Sequence, residues 1–337
     1  MSITVECHNF SGNTVFEYAS LFKELRTRDI WLLWPEETYQ AFPEFFELYG
    51  SAGHAAPNAS RLVHWYIGWP DNHKNVAHPL VITPTAKVNE LASDDCILVR
   101  PRTGRELPDA DDLTDTFYRL SQKGTVYNGQ TVLISAGPTV EDIDPVRFFS
   151  NRSSGKMGRA LARMAYRLGA DVHLVCGPVN IDLPSTVAVH MVRSAADMHR
   201  VIHDIFPKCD YFFSAAAVAD FTPDKQHTHK IKKSGAQLSL TLVRTRDILQ
   251  DIARQKKAGQ KIIGFSVETE KLLEHSREKM ERKKLDMIVA NNPMEKGAGF
   301  AVDTNKVTLI TKDKTDRLPL MSKTDAAAAI LHKALTL

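Results

Sequence analysis

Ser153, Ser154, Gly155 and Lys156 open a helix-forming run, and they close a loop that also carries Gly137, Arg147 and Asn151. Hydroxyl side chains and a glycine at a helix start can cap its first turn and leave N–H groups aimed outward, which makes a ready site for an anion. Lys156 and Arg147 add positive charge on long side chains, and Gly137 and Gly155 let a backbone approach phosphate oxygens closely. The chemistry these residue types can do is to grip a phosphate or a carboxylate.

The elements that must hold them follow from the apolar pattern. Val132-Leu133-Ile134 has the length and composition of a buried strand. From Gly155 the period changes: Met157, Leu161, Met164, Ala165 and Leu168 share one helical face, and Gly169 sits where a C-terminal cap belongs. Val172-His173-Leu174-Val175 is a second strand. The unit is β-α-β, for which a right-handed crossover into a parallel sheet is the default. Its connection, Gly137 to Ser154, is far longer than the usual ~2–6 residues. A long loop at the carboxyl end of a first strand is where open α/β sheets bind ligands. Two common phosphate motifs are excluded. Gly155-Lys156 lacks the upstream glycine of a Walker loop and is followed by Met157, and no G-x-G-x-x-G occurs. The second strand also ends in Cys176-Gly177-Pro178, without an acid for a ribose, which disfavours a nicotinamide-dependent oxidoreductase.

Ala136-Gly137-Pro138-Thr139, Asp144-Pro145-Val146-Arg147 and Ser150-Asn151-Arg152-Ser153-Ser154-Gly155-Lys156-Met157-Gly158 resemble the signature of bacterial phosphopantothenoylcysteine synthetase, or phosphopantothenate–cysteine ligase, of coenzyme A biosynthesis. The resemblance continues through Ala215–Asp220, Lys230-Ile231-Lys232-Lys233 and Gly264-Phe265. It implies a Rossmann-like, mostly parallel α/β sheet with flanking helices over residues 126–337. The implied reaction activates the carboxylate of 4′-phosphopantothenate with CTP, giving an acyl-cytidylate and pyrophosphate, and L-cysteine then displaces CMP. Mg²⁺ is implied as a cofactor held mainly by the nucleotide phosphates, with protein metal ligands unassigned. A homodimer is implied as well.

The resemblance assigns residues in turn. Asn151, Arg147 and Lys230 carry the catalytic roles, and Ser153, Ser154, Gly155 and Lys156 hold the substrate phosphate. Gly137, Ala216, Asp220, Lys230, Val243, Arg244, Thr245, Arg246, Phe265, Lys279 and Lys283 are the nucleotide residues. The residues alone say less. Phe265 at a strand end suits a stacked base or a core aromatic equally. Lys279 and Lys283 stand at i and i+4 on one helical face, the ordinary pattern of a solvated stripe. The family's Val-Lys-Asn-Pro-Asp-Ile pattern reads here as Val243-Arg244-Thr245-Arg246-Asp247-Ile248, so the positive charge is kept and the Asn-Pro turn is lost.

Residues 1–125 have a different texture and resemble a truncated, flavodoxin-like α/β domain of the phosphopantothenoylcysteine decarboxylase kind. Thr83-Pro84-Thr85-Ala86 and Gly104–Pro108 carry that likeness, while the Pro-Ala-Met-Asn and Ala-Cys-Gly motifs of the decarboxylase are absent. The reading is a degenerate structural or dimerising domain, with no flavin expected. Here Ile30–Leu33 and Pro79–Thr83 read as strands, Val15–Leu25, Gln40–Leu48, Ala86–Ala92 and Leu113–Leu120 as helices, Gly50–Asn75 as irregular chain and Lys123–Gly129 as a linker. Two alternatives to a simple ligase stand beside it: a non-catalytic nucleotide-binding homologue, and a bifunctional ligase and flavin-dependent decarboxylase.

Composition bounds the rest. The 337 residues suffice for one large core or two moderate ones, and a net charge of +3 without a basic, aromatic-interleaved stripe gives no case for nucleic acid. Cys7, Cys96, Cys176 and Cys209 lack metal or redox spacing and read as reduced thiols of a cytoplasmic protein. No apolar run suits a membrane span, and no export signal is expected.

Overall fold

The computed structural model describes residues 3–8, 21, 24–25, 30–33, 62–67, 80–83, 96–98, 109–121, 126–232 and 238–337. The chain divides into two compact units, residues 1–125 with 167–169, and residues 126–166 with 170–337.

The first unit holds strands β1 (Ile3–His8), β2 (Ile30–Leu33), β3 (Leu62–Ile67), β4 (Leu80–Thr83) and β5 (Cys96–Leu98), and helix α1 (Ala110–Ser121). All pairings are parallel, in the order β2-β1-β3-β4-β5, the flavodoxin-like order. Gly50–Asn75, expected to be irregular, contains β3: the run Leu-Val-His-Trp-Tyr-Ile has strong strand propensity that its Asn-, His- and Pro-rich flanks mask. Helix α1 begins where Asp109 accepts from the Asp111 N–H at 2.9 Å, with Asp111 and Asp112 in its first turn and Arg119 in its last, as the helix dipole favours. The helices expected at Gln40–Leu48 and Ala86–Ala92 lie outside the described residues, as do the side chains of His64 and Cys96.

The second unit is built on β6 (Thr131–Ala136), β7 (Val140–Asp142), β8 (Phe148–Ser150), α2 (Lys156–Arg167), β9 (Asp171–Cys176), β10 (Ala188–Met191), α3 (Ala195–Ile205), β11 (Tyr211–Ser214), β12 (Phe221–Pro223) and β13 (Leu242–Arg244). It continues through α4 (Ile248–Gln255), β14 (Lys261–Val267), α5 (Leu272–Arg282), β15 (Met287–Asn291), β16 (Thr304–Asn305), β17 (Thr308–Thr311), β18 (Thr315–Arg317), β19 (Met321–Ser322) and α6 (Lys323–Ala334). Eight strands form one sheet in the order β10-β9-β6-β11-β14-β15-β17-β18. The first six are parallel and follow the doubly wound Rossmann order; β17 and β18 extend the sheet antiparallel. β18 takes the edge of the sheet, and β17 lies between β15 and β18. Leu238 and Leu240 do not join a strand; only Leu242–Arg244 pairs, with Phe221–Pro223.

The core explains why these segments order as they do. Leu133, Phe212, Ile262 and Ile288 from the strands meet Met198, Ile202, Ile252 and Met280 from α3, α4 and α5. Helix α3 starts on a capping box, with the Asp197 N–H donating to Ser194 Oγ at 3.1 Å and the Ser194 N–H to Asp197 Oδ2 at 3.2 Å. The expected linker Lys123–Gly129 contains an anchor: Tyr127 is fully buried, and its hydroxyl donates to the Leu331 carbonyl at 2.8 Å. A phenol needs a partner when buried, and the carbonyl supplies it.

Candidate functional site

Strands β6 and β11 are neighbours, but their chains leave in opposite directions along the sheet, to β9 and to β14. The gap at their carboxyl ends is the switch point at which doubly wound sheets hold ligands. The chain pairs briefly beyond the sheet there: the Ala217 N–H donates to Gly137 O at 2.9 Å and the Thr139 N–H to Ala217 O at 3.2 Å. It then runs out through the β7–β8 hairpin and returns at Gly155.

Gly155 has φ +76°, and a Cβ on it would lie 2.7 Å from Val179 Cγ1 and 3.6 Å from Gly137 Cα. A Cβ on Gly158 would lie 2.4 Å from that of Ala136, so α2 packs hard against the end of β6. Gly137, Gly155 and Gly158 therefore do in space what a contiguous glycine fingerprint does in sequence: turn tightly, admit a close approach, and seat helix on strand. The excursion between the first two is what hides the pattern.

A cleft of about 890 Å³ opens at this point, within the range of small-molecule sites. Its floor is Ser214 to Asp220 and its walls are Asn151 to Gly158, Arg244 to Leu249, and the end of β14 at Phe265. Seven cationic side chains line it (Arg152, Lys156, Arg244, Arg246, Lys279, Lys283 and Lys323) against two acids, Asp220 and Asp247. That imbalance suits a polyanion.

The cations differ in how they are held. Lys279 Nζ donates to Phe265 O at 2.8 Å; burial first, then the neighbouring Lys283, keep its pKa below the usual lysine value. Lys283 pairs with Asp247 at 2.9 Å, and Asp247 also caps α4 by accepting from the Gln250 N–H at 3.1 Å. Burial alone would push the Asp247 carboxyl up, but Lys283 and that N–H outweigh it and hold it below the ordinary range. Lys156 pairs with Asp303 at 2.7 Å and donates to Ala301 O at 2.8 Å, while Ser154 Oγ donates to Phe300 O. Lys323 sits among the carbonyls of Gly299, Val302 and Thr304. The segment 299–303 is thus fastened across one side of the cleft.

The family of DNA/pantothenate metabolism flavoprotein C-terminal domains matches residues 127–337. The chain belongs to that family. The bifunctional coenzyme A biosynthesis protein CoaBC of Bacillus subtilis (strain 168) is 47% identical over 207 residues, 61% of this chain and 51% of that protein. A cysteine/cysteine sulfinic acid decarboxylase of an unknown prokaryotic organism is 45% identical over 213 residues, 62% of this chain and 59% of that protein. The chain spans little more than half the length of these relatives. The crystal structure of the C-terminal domain of a coenzyme A biosynthesis bifunctional protein CoaBC superposes with a TM-score of 0.54 at 38% identity, covering 62% of this chain and 96% of that one.

Within this flavoprotein C-terminal domain, the cleft brings together Asn151, Ser153, Ser154, Gly155, Lys156, Ala216, Asp220, Arg244, Thr245, Arg246, Phe265, Lys279 and Lys283. Gly137, Arg147, Lys230 and Val243 do not line it. Arg147 instead donates to Asp144 Oδ2 at 2.5 Å and to Ile231 O at 2.9 Å. Burial would raise the Asp144 carboxyl, yet Arg147, the Ile231 N–H and the Val146 and Arg147 N–H groups hold it far below the usual range. Arg147 is therefore part of a clasp that ties the segment at Ile231 to the β7–β8 hairpin. Lys230, one residue earlier, is exposed, and Lys233 lies outside the described residues. Asn151 donates from Nδ2 to Ala217 O at 3.0 Å and to Val218 O at 3.2 Å.

Sequence reasoning missed Arg152, Ser214, Asp247, Asn291, Phe300, Asn305 and Lys323 as cleft residues. Asn291, ending β15 just beyond an apolar run, carried the same strand-end signal as Asp220. Phe300 and Lys323 carried none, because a loop fold-back brings them to the cleft.

Proposed function

We propose that the chain joins 4′-phosphopantothenate to L-cysteine at the expense of CTP, through an acyl-cytidylate. One observation carries this reading: a cleft at the switch point with a marked excess of cations also holds Asn151, Asp220 and Phe265. A carboxylate is a poor acyl donor. In the proposed step a carboxylate oxygen attacks the α-phosphorus of CTP and pyrophosphate leaves; the cysteine amine then forms the amide and CMP departs. Lys279, Lys283, Arg244 and Arg246 would neutralise the triphosphate, Asp220 and Ala216 would meet the nucleoside, and Phe265 would lie against the base. Ser153, Ser154, Gly155 and Lys156 would hold the substrate phosphate, and Asn151 would orient the acyl group. Lys230, and Arg147 that clasps its segment, would act on the acyl intermediate from beside the cleft. Positioning and charge neutralisation are the main contributions a protein makes to such chemistry.

Among the described residues no three His, Cys, Asp or Glu side chains gather as a metal cage, and only Asp220 and Asp247 bring carboxylates to the cleft. That donor set fits Mg²⁺, which takes most of its ligands from phosphate and water. Bound Mg²⁺ would offset phosphate charge. A homodimer is part of the proposal, supported by Val146, Phe148, Phe221, Leu242 and Val243, which are exposed on the β7–β8 and β12–β13 ribbons. A cytoplasmic setting is supported by the buried thiols of Cys176 and Cys209, neither of which is in a disulfide. No described helix is long and apolar enough to cross a membrane.

The two relatives carry different activities in their names, and the cationic cleft with Asn151, Asp220 and Phe265 is what supports the ligase reading. The test is pyrophosphate release with 4′-phosphopantothenate, comparing CTP with ATP, with and without L-cysteine. Release that needs the acid and prefers CTP supports the proposal, and its absence defeats it in favour of a non-catalytic homologue. The flavodoxin-like strand order of the first unit favours one second reading, a bifunctional protein with a flavin there. Our reading of residues 1–125 is a degenerate, structural unit; a yellow purified protein would replace it with the bifunctional one.

A further inference from the structure

Thr245 lies in the cleft wall, but its hydroxyl is already committed. Thr245 Oγ1 donates to Ala219 O at 2.6 Å, and the Thr245 N–H donates to Asp220 O at 3.0 Å. From the opposite side the Ala219 N–H donates to the hydroxyl oxygen of Thr139 at 2.9 Å, and Thr139 is fully buried. Two threonines from different loops therefore grip both ends of one peptide residue, Ala219, immediately before Asp220. A hydroxyl has a single proton to give, and that of Thr245 goes to the main chain, so it cannot also be given to a phosphate oxygen.

We propose that Thr245 acts on the nucleotide through Ala219 and Asp220, as a positioning residue for the Asp220 carboxylate. The inference rests on the nucleotide-dependent ligase reading and refines it. A carboxylate accepts hydrogen bonds and repels bare phosphate, so Asp220 is assigned to a hydroxyl or an amine of the nucleoside part, with Mg²⁺ drawing its ligands from phosphate and water. The threonine clip sets where that acceptor stands. The cationic wall, Lys279 and Lys283, is held separately by Phe265 O and Asp247. The bonds that set Asp220 are thereby distinct from those that hold the two lysines.

This division gives the test. Thr245→Val keeps the side-chain shape and removes the donor. Its KM for CTP is expected to rise about 5- to 10-fold with kcat unchanged. Inhibition by inorganic tripolyphosphate, which has no nucleoside, is expected to stay as in the wild type. Thr245→Ser, which restores the donor, is expected to bring the KM back. An unchanged KM in Thr245→Val overturns the inference, and so does a parallel loss of tripolyphosphate inhibition, which would mean a general disturbance of the cleft. Failure of rescue by serine overturns it too. Wild-type protein without CTP-dependent pyrophosphate release would remove the ligase reading and this refinement together, whereas an active wild type with an indifferent Thr245→Val removes the refinement alone.

Discussion

Lys156 Nζ stands 2.7 Å from Asp303 Oδ1, joining the first turn of α2 to the loop between β15 and β16. Asp303 is almost fully exposed, and its hydrogen bond to Lys156, then their mutual charge, lower its pKa. A carboxyl with a lowered folded pKa keeps its pairing above the ordinary carboxylate range and loses it as pH falls through the lowered value. Asp303→Ala is expected to speed amide hydrogen exchange over 299–303 while thermal stability stays unchanged, since exposed pairs contribute little. The wild-type loop is expected to match that faster exchange only once the pH falls below the carboxylate range. Equal exchange in both proteins at neutral pH would show that the bonds of Ser154, Lys156 and Lys323 to main-chain carbonyls hold the loop without the ion pair.

Asn151 donates to two carbonyl oxygens of the cleft floor. Asn151→Asp cannot donate and sets a negative charge against them. Substrates are expected to bind and pyrophosphate to be released in the first turnover, with steady-state product formation about 100- to 1000-fold slower, because a carboxylate at this position repels the negative charge that develops at the acyl centre. Rapid-quench measurement of pyrophosphate and amide separates the two steps, and normal turnover would remove Asn151 from the mechanism.

Lys279 offers a stability test with a definite sign. Burial and Lys283 lower its folded pKa below the ordinary lysine value of 10.5. Below that lowered pKa the folded chain carries a charge it would hold more easily when unfolded, which costs stability; the cost starts to fall as pH rises through the lowered value and is gone above the ordinary lysine value. Lys279→Met is therefore expected to raise the melting temperature at neutral pH. It is also expected to weaken CTP binding about 10- to 100-fold, the worth of one charge-assisted contact. A variant that melts lower, or that binds CTP normally, would contradict this account of the cleft.

Gly158→Ala probes the helix-to-strand seat. The added methyl meets Ala136 Cβ at 2.4 Å and Ala136 Cα at 3.1 Å, so α2 must lift from β6. Overpacking of this kind costs about 1–3 kcal/mol. Chemical denaturation is expected to show that loss, together with weaker substrate binding, because the anion-gripping turn sits on the same helix. Gly129→Ala, which meets nothing within 4 Å although its φ is +74°, serves as the comparison for backbone strain without a clash.

Much of the second unit was legible in the sequence. Val132–Ile134, Val172–Val175, Tyr211–Ser214 and Lys261–Phe265 are short apolar runs with strand-forming residues, and buried strands have little freedom to look like anything else. The helix at Lys156 was legible because its apolar positions recur at helical spacing up to Gly169, whose φ of +97° suits a helix end. In the first unit β3 was hidden, since neighbouring Gly, Pro and Asn residues signal loop locally and only pairing with β1 and β4 orders the run.

What the sequence determined by itself was the set of local elements and the family to which the chain belongs, because apolar period and motif spacing are carried by neighbouring residues. Tertiary structure alone decided which charges share the cleft. It placed Lys323 and Phe300 beside Lys156, turned Arg147 away to Asp144 and Ile231, and rebuilt a glycine triplet from Gly137, Gly155 and Gly158 across a long loop. Those are contacts between residues far apart in the chain. They are fixed by the strand order and by how each helix seats on the sheet, and no window of sequence contains either.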